Sequence, residues 1–479
     1  MLLTRRVSQT TLLHLHGCDE LNAYMKGVPS MSSDPRIARL DSLPLSGFHR
    51  RLLVISGMGW MFDAMDILIV GSVVATVASI WKLSPQVSGL IISANLAGMF
   101  VGAASAGFLA DRFGRKGVFQ ATLLAYSILT GLSALAWNAA SLAIIRFLAG
   151  IGMGGELPVA STLVSEFAPA RQRGFMLVVL ESFWAYGSVL AALIGYLFIP
   201  AFGWQAAFLV GALPALYVFI LRRAIPESPR YLLSKGRLSD ADAVLRQAGI
   251  TESPVNSPTS LSSSTVPTEH ARLIDLFAPR FMQRTAMLWI LWFAMVFSYY
   301  GIFTWLPGLL RGKGFDLQQA FLLNLIISLF QIPGYFTAAY LVERWGRKST
   351  LVTFLLCNAL GAFVFAGQSL SARPDVAQTL LWGGVMAFFN LGAWGIVYTY
   401  TPELYPTRIR GTGTGIAAAI GRLGGVLAPY TVGTMLAAFS GSQFAVFMTF
   451  TLILIIGGLV VLLLGEETKG RTLEEISHG

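Results

Sequence analysis

Twelve apolar runs, each long enough to cross a lipid bilayer, take up most of this 479-residue chain. A helix rises about 1.5 Å per residue, so about 20 mostly apolar residues span the ~30 Å hydrocarbon layer. In the first half the runs cover roughly 52–79, 87–110, 117–137, 141–166, 174–199 and 204–222. In the second half they cover roughly 286–310, 317–342, 349–370, 378–401, 411–438 and 443–464. Charged residues make up 12% of the chain, about half the share of an ordinary soluble protein. That is too little polar surface to coat a water-soluble globule, so the expected fold is all-α integral membrane, with twelve transmembrane helices.

The basic residues give the orientation. If the amino terminus lies inside, 28 of the 34 Lys and Arg fall in inside segments. The outside loops hold Lys82, Arg311, Lys313 and Arg373, and Arg146 and Arg422 lie within runs, away from their ends. This is the positive-inside pattern, and it predicts a multi-pass cell (inner) membrane protein with both termini cytoplasmic. The net charge of +10 therefore marks a membrane face, and no nucleic-acid partner is expected. The start of the chain lacks a long apolar run, so no cleavable signal peptide is expected. Two cysteines, Cys18 and Cys357, give neither a disulfide framework nor a metal site.

The chain divides into a cytoplasmic tail (1–50), a six-helix half (51–222), a cytoplasmic linker (223–285), a second six-helix half (286–465) and a short tail (466–479). The linker contains an amphipathic stretch (238–249), then a Ser/Thr/Pro-rich run (251–268) too polar to bury anything. The halves repeat each other. Asp111-Arg-Phe-Gly-Arg-Lys116 follows span 2 and Glu343-Arg-Trp-Gly-Arg-Lys348 follows span 8. Glu166-Phe-Ala-Pro-Ala-Arg-Gln-Arg-Gly174 follows span 4 and Glu403-Leu-Tyr-Pro-Thr-Arg-Ile-Arg-Gly411 follows span 10. A repeated multi-span unit is a common transporter design.

These loops, with Pro226-Glu-Ser-Pro-Arg230 and Glu467-Thr-Lys-Gly470, resemble the major facilitator superfamily over about residues 50–470. Gly59-Trp-Met-Phe-Asp-Ala-Met-Asp66, Gly154-Gly-Glu-Leu-Pro158 and Glu181-Ser-Phe-Trp-Ala185 are most similar to bacterial metabolite:proton symporters, the nicotinate transporters in particular. In physical terms Gly114 and Gly346 permit sharp turns, and the basic residues hold the loops at the cytoplasmic face. The resemblance implies an inner gate of ion pairs, built from Asp111, Arg112, Arg115, Glu166, Arg171 and Arg173 and their counterparts Glu343, Arg344, Arg347, Glu403, Arg408 and Arg410.

Four carboxylates lie within runs: Asp63 and Asp66 in span 1, Glu156 in span 4 and Glu181 in span 5. A charge at the bilayer centre costs at least about 2.5 kcal/mol, so each needs a partner, a wet cavity or a proton. No histidine falls in a run, so coupled protons would have to ride on carboxylates. Counting ~1.5 Å per residue puts Asp66 about 9 Å and Arg146 about 7.5 Å below the outer edge, on one level. The resemblance to proton-coupled sugar porters implies that this pair couples protons. Asp63 shares a helix face with Asp66, and two close carboxylates cannot both ionise comfortably there. It is either a second proton site or a packing residue. Glu156 and Glu181 also come out level, near the cytoplasmic side, as proton or gate groups.

Arg422 lies near the midplane without a carboxylate at its depth in its own half. It suits a bidentate grip on an anionic substrate, or an ion pair across the halves with Asp63 or Asp66. Tyr299, Tyr300, Gln331, Asn390, Trp394 and Tyr398 could stack on and hydrogen-bond a small ring. With no Walker, HExxH or GxSxG element the chain is expected to be no enzyme and to use no cofactor. The leading expectation is a monomeric secondary transporter in the lipid bilayer, importing a small organic anion such as nicotinate with protons by alternating access. A sugar:proton symporter and a drug:proton antiporter are the alternatives. Span 7, Met295-Val-Phe-Ser-Tyr-Tyr-Gly-Ile-Phe303, lacks the sugar-porter glutamines and asparagine, and span 5 lacks the antiporter GPxxGG motif.

Overall fold

The computed structural model describes residues 35–169, 172–250, 273–371, 375–406 and 409–469. Span 1 is Gly47–Ile80, span 2 Pro85–Phe113 and span 3 Arg115–Ser133. Span 4 is Ala139–Gly154 with Glu156–Phe167, span 5 is Arg173–Phe202, and span 6 is Trp204–Gly211 with Pro214–Ala224. Span 7 is Pro279–Phe303 with Leu306–Gly312, and span 8 is Leu317–Leu329 with Gln331–Trp345. Spans 9 to 12 are Arg347–Gln368, Val376–Glu403, Arg410–Ala438 and Gln443–Leu464. Among the described residues, 11 helices are long and apolar enough to cross a membrane. Span 3, at 19 residues, is the shorter and more polar twelfth.

The breaks have a local cause. In spans 4, 6, 7 and 8 a proline follows the break within three residues: Pro158, Pro214, Pro307 and Pro333. Each proline removes a donor and clashes with the carbonyl four residues back, which is where the helix gives way. Helix ends also run past the apolar edges. Span 1 begins at Gly47 because the Ser46 backbone N–H donates to His49 Nδ1 (3.2 Å) in a capping box. His49, expected in the tail, is therefore buried in the first helical turn.

Spans 2 and 4 touch backbone to backbone. A Cβ on Gly98 or Gly102 would strike Phe147 O or Ile151 O, and one on Gly150 or Gly154 would strike Asn95 O or Met99 O. This reciprocal pair of small-xxx-small stripes is how helices associate where lipid supplies no hydrophobic drive. Across the halves span 2 packs on span 11 and span 5 on span 8. A shift of six spans turns one of these contacts into the other, so the interface has the two-fold character of the repeat.

In the linker, the amphipathic stretch is a helix, Leu238–Gln247, preceded by a short one, Pro229–Ser234. The Ser/Thr/Pro-rich run lies outside the described residues.

Candidate functional site

The two halves close on each other at the end of the bundle away from the termini. There Arg311 Nη1 donates to Ala75 O (2.8 Å), and Ser93 Oγ donates to Val426 O (2.7 Å) and accepts from Tyr430 N (3.1 Å). Gly71 packs on Thr304 O, Gly89 on Pro429 O and Gly433 on Pro85 O, each with no room for a Cβ.

Between this seal and the terminus-bearing end lies a cavity of about 140 Å³. Its walls are Trp60, Trp184, Trp292, Tyr299, Tyr300, Tyr335, Trp394 and Tyr398, and its charged groups are Glu181 and Arg422. The rings brace one another edge to face: Trp292 with Trp394 (centroids 5.7 Å) and with Tyr398 (5.3 Å), and Trp184 with Tyr299 (6.0 Å). The Trp184 indole N–H also donates to Tyr299 Oη across the halves. A cavity of about 150 Å³ takes up benzene, so this one fits a single six-membered ring. Among the described residues no carboxylate lies within 4.0 Å of the Arg422 guanidinium, and it forms no pair with Asp63 or Asp66.

Tyr299, Tyr300, Trp394, Tyr398 and Arg422 thus meet in one place, whereas Gln331 and Asn390 do not face it. Gln331 is fully buried, its Oε1 accepting from Ser188 Oγ (2.7 Å) to tie span 8 to span 5. Asn390 is equally buried and reaches only Ser298 Oγ (3.5 Å). Four cavity aromatics, Trp60, Trp184, Trp292 and Tyr335, escaped the sequence reading. Trp60 and Trp184 stand inside quoted motifs, and depth counting would have put them beside Glu181.

A second polar site lies within the first half. Arg146 and Asp66, both with no exposed surface, form an ion pair through Nη2 and Oδ2. Thr130 Oγ1 donates to Asp66 Oδ1 (2.6 Å), and the guanidinium also donates to Thr130 Oγ1 (3.0 Å) and Asn95 Oδ1 (3.0 Å). Thr130 and Asn95 were missed because neutral polar residues inside spans carry no charge signal. Asp63 and Glu156 face each other here, both fully buried, and the buried Tyr126 hydroxyl lies beside Asp63. Gly59 makes the room, since a Cβ there would touch Glu156 Oε1. Glu156 is therefore matched with Asp63. Glu181, level with Glu156 in the sequence, turns instead into the central cavity.

At the terminus-bearing end the two halves build the same cluster twice. Arg115 bridges Asp111 (3.0 Å) and Glu166 (3.5 Å), and Arg347 bridges Glu343 (3.2 Å) and Glu403 (3.3 Å). Glu227 Oε1 accepts from the backbone N–H of Arg115 (3.0 Å) and Lys116 (3.2 Å). Glu467 accepts from Arg347 (2.8 Å) and Lys348 (3.1 Å) in the same manner. Each thus caps a helix N-terminus, where negative charge is favoured. Gly114 and Gly346 both sit at φ +94°, and a Cβ on either would meet the capping carboxylate.

The other gate candidates differ. Arg173 pairs with Asp41 (2.7 Å), while Arg410 Nε donates to Tyr405 O (3.2 Å). Arg112 and Arg344 are surface groups over Phe113 and Tyr340, not members of the clusters. Arg171 and Arg408 lie outside the described residues. The Arg115 and Arg347 clusters each close within their own half.

Known proteins can now be set beside this architecture. The profile of the family described as sugar (and other) transporter matches residues 52–479. The chain belongs to that family. It is a multi-pass transporter of the major facilitator fold, carries a small molecule and is not an enzyme. The niacin transporter NiaP of Acinetobacter baylyi is 47% identical, over 92% of this chain and 99% of that protein. A putative niacin/nicotinamide transporter of Bacillus subtilis is 44% identical, over 89% and 98%. The xylose transporter XylE from E. coli, partially occluded and inward open, superposes with a TM-score of 0.69 at 19% identity, over 89% of this chain and all of its own. That likeness concerns the fold alone.

Proposed function

We propose that this family member imports nicotinate, or a close monocyclic aromatic monocarboxylate, together with protons across a bacterial inner membrane. The observation that carries the reading is Arg422, a cation with no carboxylate within 4.0 Å among the described residues, in an aromatic cavity sized for one ring. The carboxylate would take the guanidinium bidentately and the ring would stack among the tryptophans and tyrosines. The names of the 47% and 44% identical relatives support the same cargo.

Coupling is assigned to the first half. Protonating Asp66 would neutralise its side of the pair and release Arg146 to Thr130 and Asn95, loosening spans 1, 2, 3 and 4 together. Asp63 and Glu156, buried and with no cation beside them among the described residues, are the second proton site, because two facing carboxyls in low dielectric are relieved by holding a proton between them. With the termini in the cytoplasm, the closed far end makes this the inward-facing state of a monomer. The clusters around Arg115 and Arg347 hold each half's inner loops and would meet across the interface when the halves rock outward. The test is uptake by proteoliposomes with a pH gradient, acid outside. Nicotinate accumulation that collapses with a protonophore is expected. Gradient-independent uptake, or accumulation of xylose in its place, would overturn the reading.

A further inference from the structure

Glu181 and Arg422 open onto one cavity from opposite halves, and neither finds an opposite charge within 4.0 Å among the described residues. Glu181 is 9% exposed, so its carboxyl has little water of its own. The ionisable groups facing it are Tyr300 from span 7, Tyr335 from span 8, Tyr398 from span 10 and Arg422 from span 11. The Tyr335 hydroxyl is committed to Val178 O (3.1 Å), and the Trp60 indole N–H is turned toward the Glu181 carboxyl. The cavity thus has two poles with no opposite charge in contact, one cationic and one carboxyl, from opposite halves and among rings.

We propose that Glu181 reads a basic ring nitrogen while Arg422 holds the substrate's carboxylate, so that the cargo class is a six-membered heteroaromatic monocarboxylate. This rests on the reading above that the cargo is a monocyclic aromatic acid, and narrows it. A ring nitrogen and a carboxylate are both acceptors, so their contact needs one proton, taken from water as the ligand binds. That proton lies between Glu181 and the nitrogen, and the Arg422–carboxylate pair carries the remaining charges. A benzene ring offers a C–H at the same place. It leaves the Glu181 carboxyl with no partner on the ligand side, a penalty that rejects analogues lacking the polar atom.

The test is calorimetric titration of the purified full-length chain with nicotinate and with benzoate, which differ by N against C–H. The wild type should bind nicotinate about 10- to 150-fold more tightly, the range for one hydrogen bond to a charged group. Glu181→Leu should lose that margin on nicotinate while holding benzoate, which also shows that the variant is folded. Glu181→Gln should retain most nicotinate affinity, because its amide N–H donates to the nitrogen without a proton. Equal affinities in the wild type, equal losses of both ligands in Glu181→Leu, or a Gln variant as impaired as Leu would each overturn the proposal. Binding of neither acid by the wild type would overturn it together with the cargo reading on which it stands.

Discussion

Replacing Arg422 with Gln tests the substrate reading at its base, because the structure lets binding be separated from folding. The guanidinium has no carboxylate within 4.0 Å among the described residues, so its removal breaks no direct ion pair. Arg146 would be a poor probe by comparison. It is buried against Asp66 with no exposed surface on either side chain, and removing one partner of such a pair costs about 3–5 kcal/mol of stability. For Arg422→Gln the loss falls on the ligand. Charge-assisted hydrogen bonds to a carboxylate are worth about 1.5–3 kcal/mol. At 1.36 kcal/mol per decade that is a drop of about 10- to 150-fold in nicotinate affinity. Nicotinamide keeps the ring and lacks the anion, so its affinity should change by less than about threefold. Calorimetric titration of both ligands, with a thermal unfolding scan to show an unchanged Tm, measures the contrast. Equal losses for acid and amide would mean that Arg422 braces the cavity and does not grip the anion.

Asp66→Asn should abolish accumulation driven by a pH gradient while sparing nicotinate exchange in counterflow, since an amide still accepts from Thr130 but cannot shuttle a proton. Undiminished accumulation would remove Asp66 from the coupling path. Gly114→Ala and Gly346→Ala should each lower stability by at least about 1–2 kcal/mol, the cost of a Cβ at positive φ, and the Glu227 and Glu467 carboxylates leave no room to relax. Unchanged Tm values in both would contradict the capping geometry. Lys313, just past span 7 with Nζ 3.6 Å from the Phe365 ring centroid, is pushed down by burial to about 8. The unfolded side chain titrates near about 10.4. From about pH 8 to about pH 10 the unfolded state therefore binds more protons, and stability should rise with pH. Lys313→Met should flatten that rise relative to the wild type; parallel pH profiles would rule the effect out.

The fold was legible because lipid imposes a length rule that composition cannot hide, and the repeat loops fixed which helices correspond. The Asp66–Arg146 contact was legible from depth alone, since two charges inside a bilayer at one level have few other partners. Azimuth was not. Glu156 and Glu181 share a depth, yet Gly59 admits Glu156 to the face of Asp63 while Glu181 turns toward Arg422. Gln331 and Asn390 sit at plausible depths but on faces that knit spans 8 and 5, and 10 and 7. The caps Glu227 and Glu467 were visible only as family motifs, because a contact between a carboxylate and a distant loop's backbone N–H leaves no periodicity in sequence.

The distribution of charge argues for a division of labour between halves that are otherwise built alike. The clusters around Arg115 and Arg347 are duplicated down to their capping glutamates, so they serve what both halves must do, which is to hold their inner loops through a rocking motion. The charges inside the spans are not duplicated. Asp63, Asp66, Arg146, Glu156 and Glu181 all belong to the first half, and Arg422 alone to the second. A substrate anchored on Arg422 therefore senses protonation in the first half through contacts that join the halves around the cavity. Span 5 makes three of them, Trp184 Nε1 to Tyr299 Oη, Tyr335 Oη to Val178 O, and Ser188 Oγ to Gln331 Oε1. All lie within two helical turns of Glu181. Trp184→Phe removes the first contact and keeps the ring. On this assignment it should cost no more than about tenfold in nicotinate affinity, the upper end for a single neutral hydrogen bond, while lowering the gradient-driven accumulation ratio. A variant that binds less tightly yet accumulates to the same ratio would place the coupling path elsewhere.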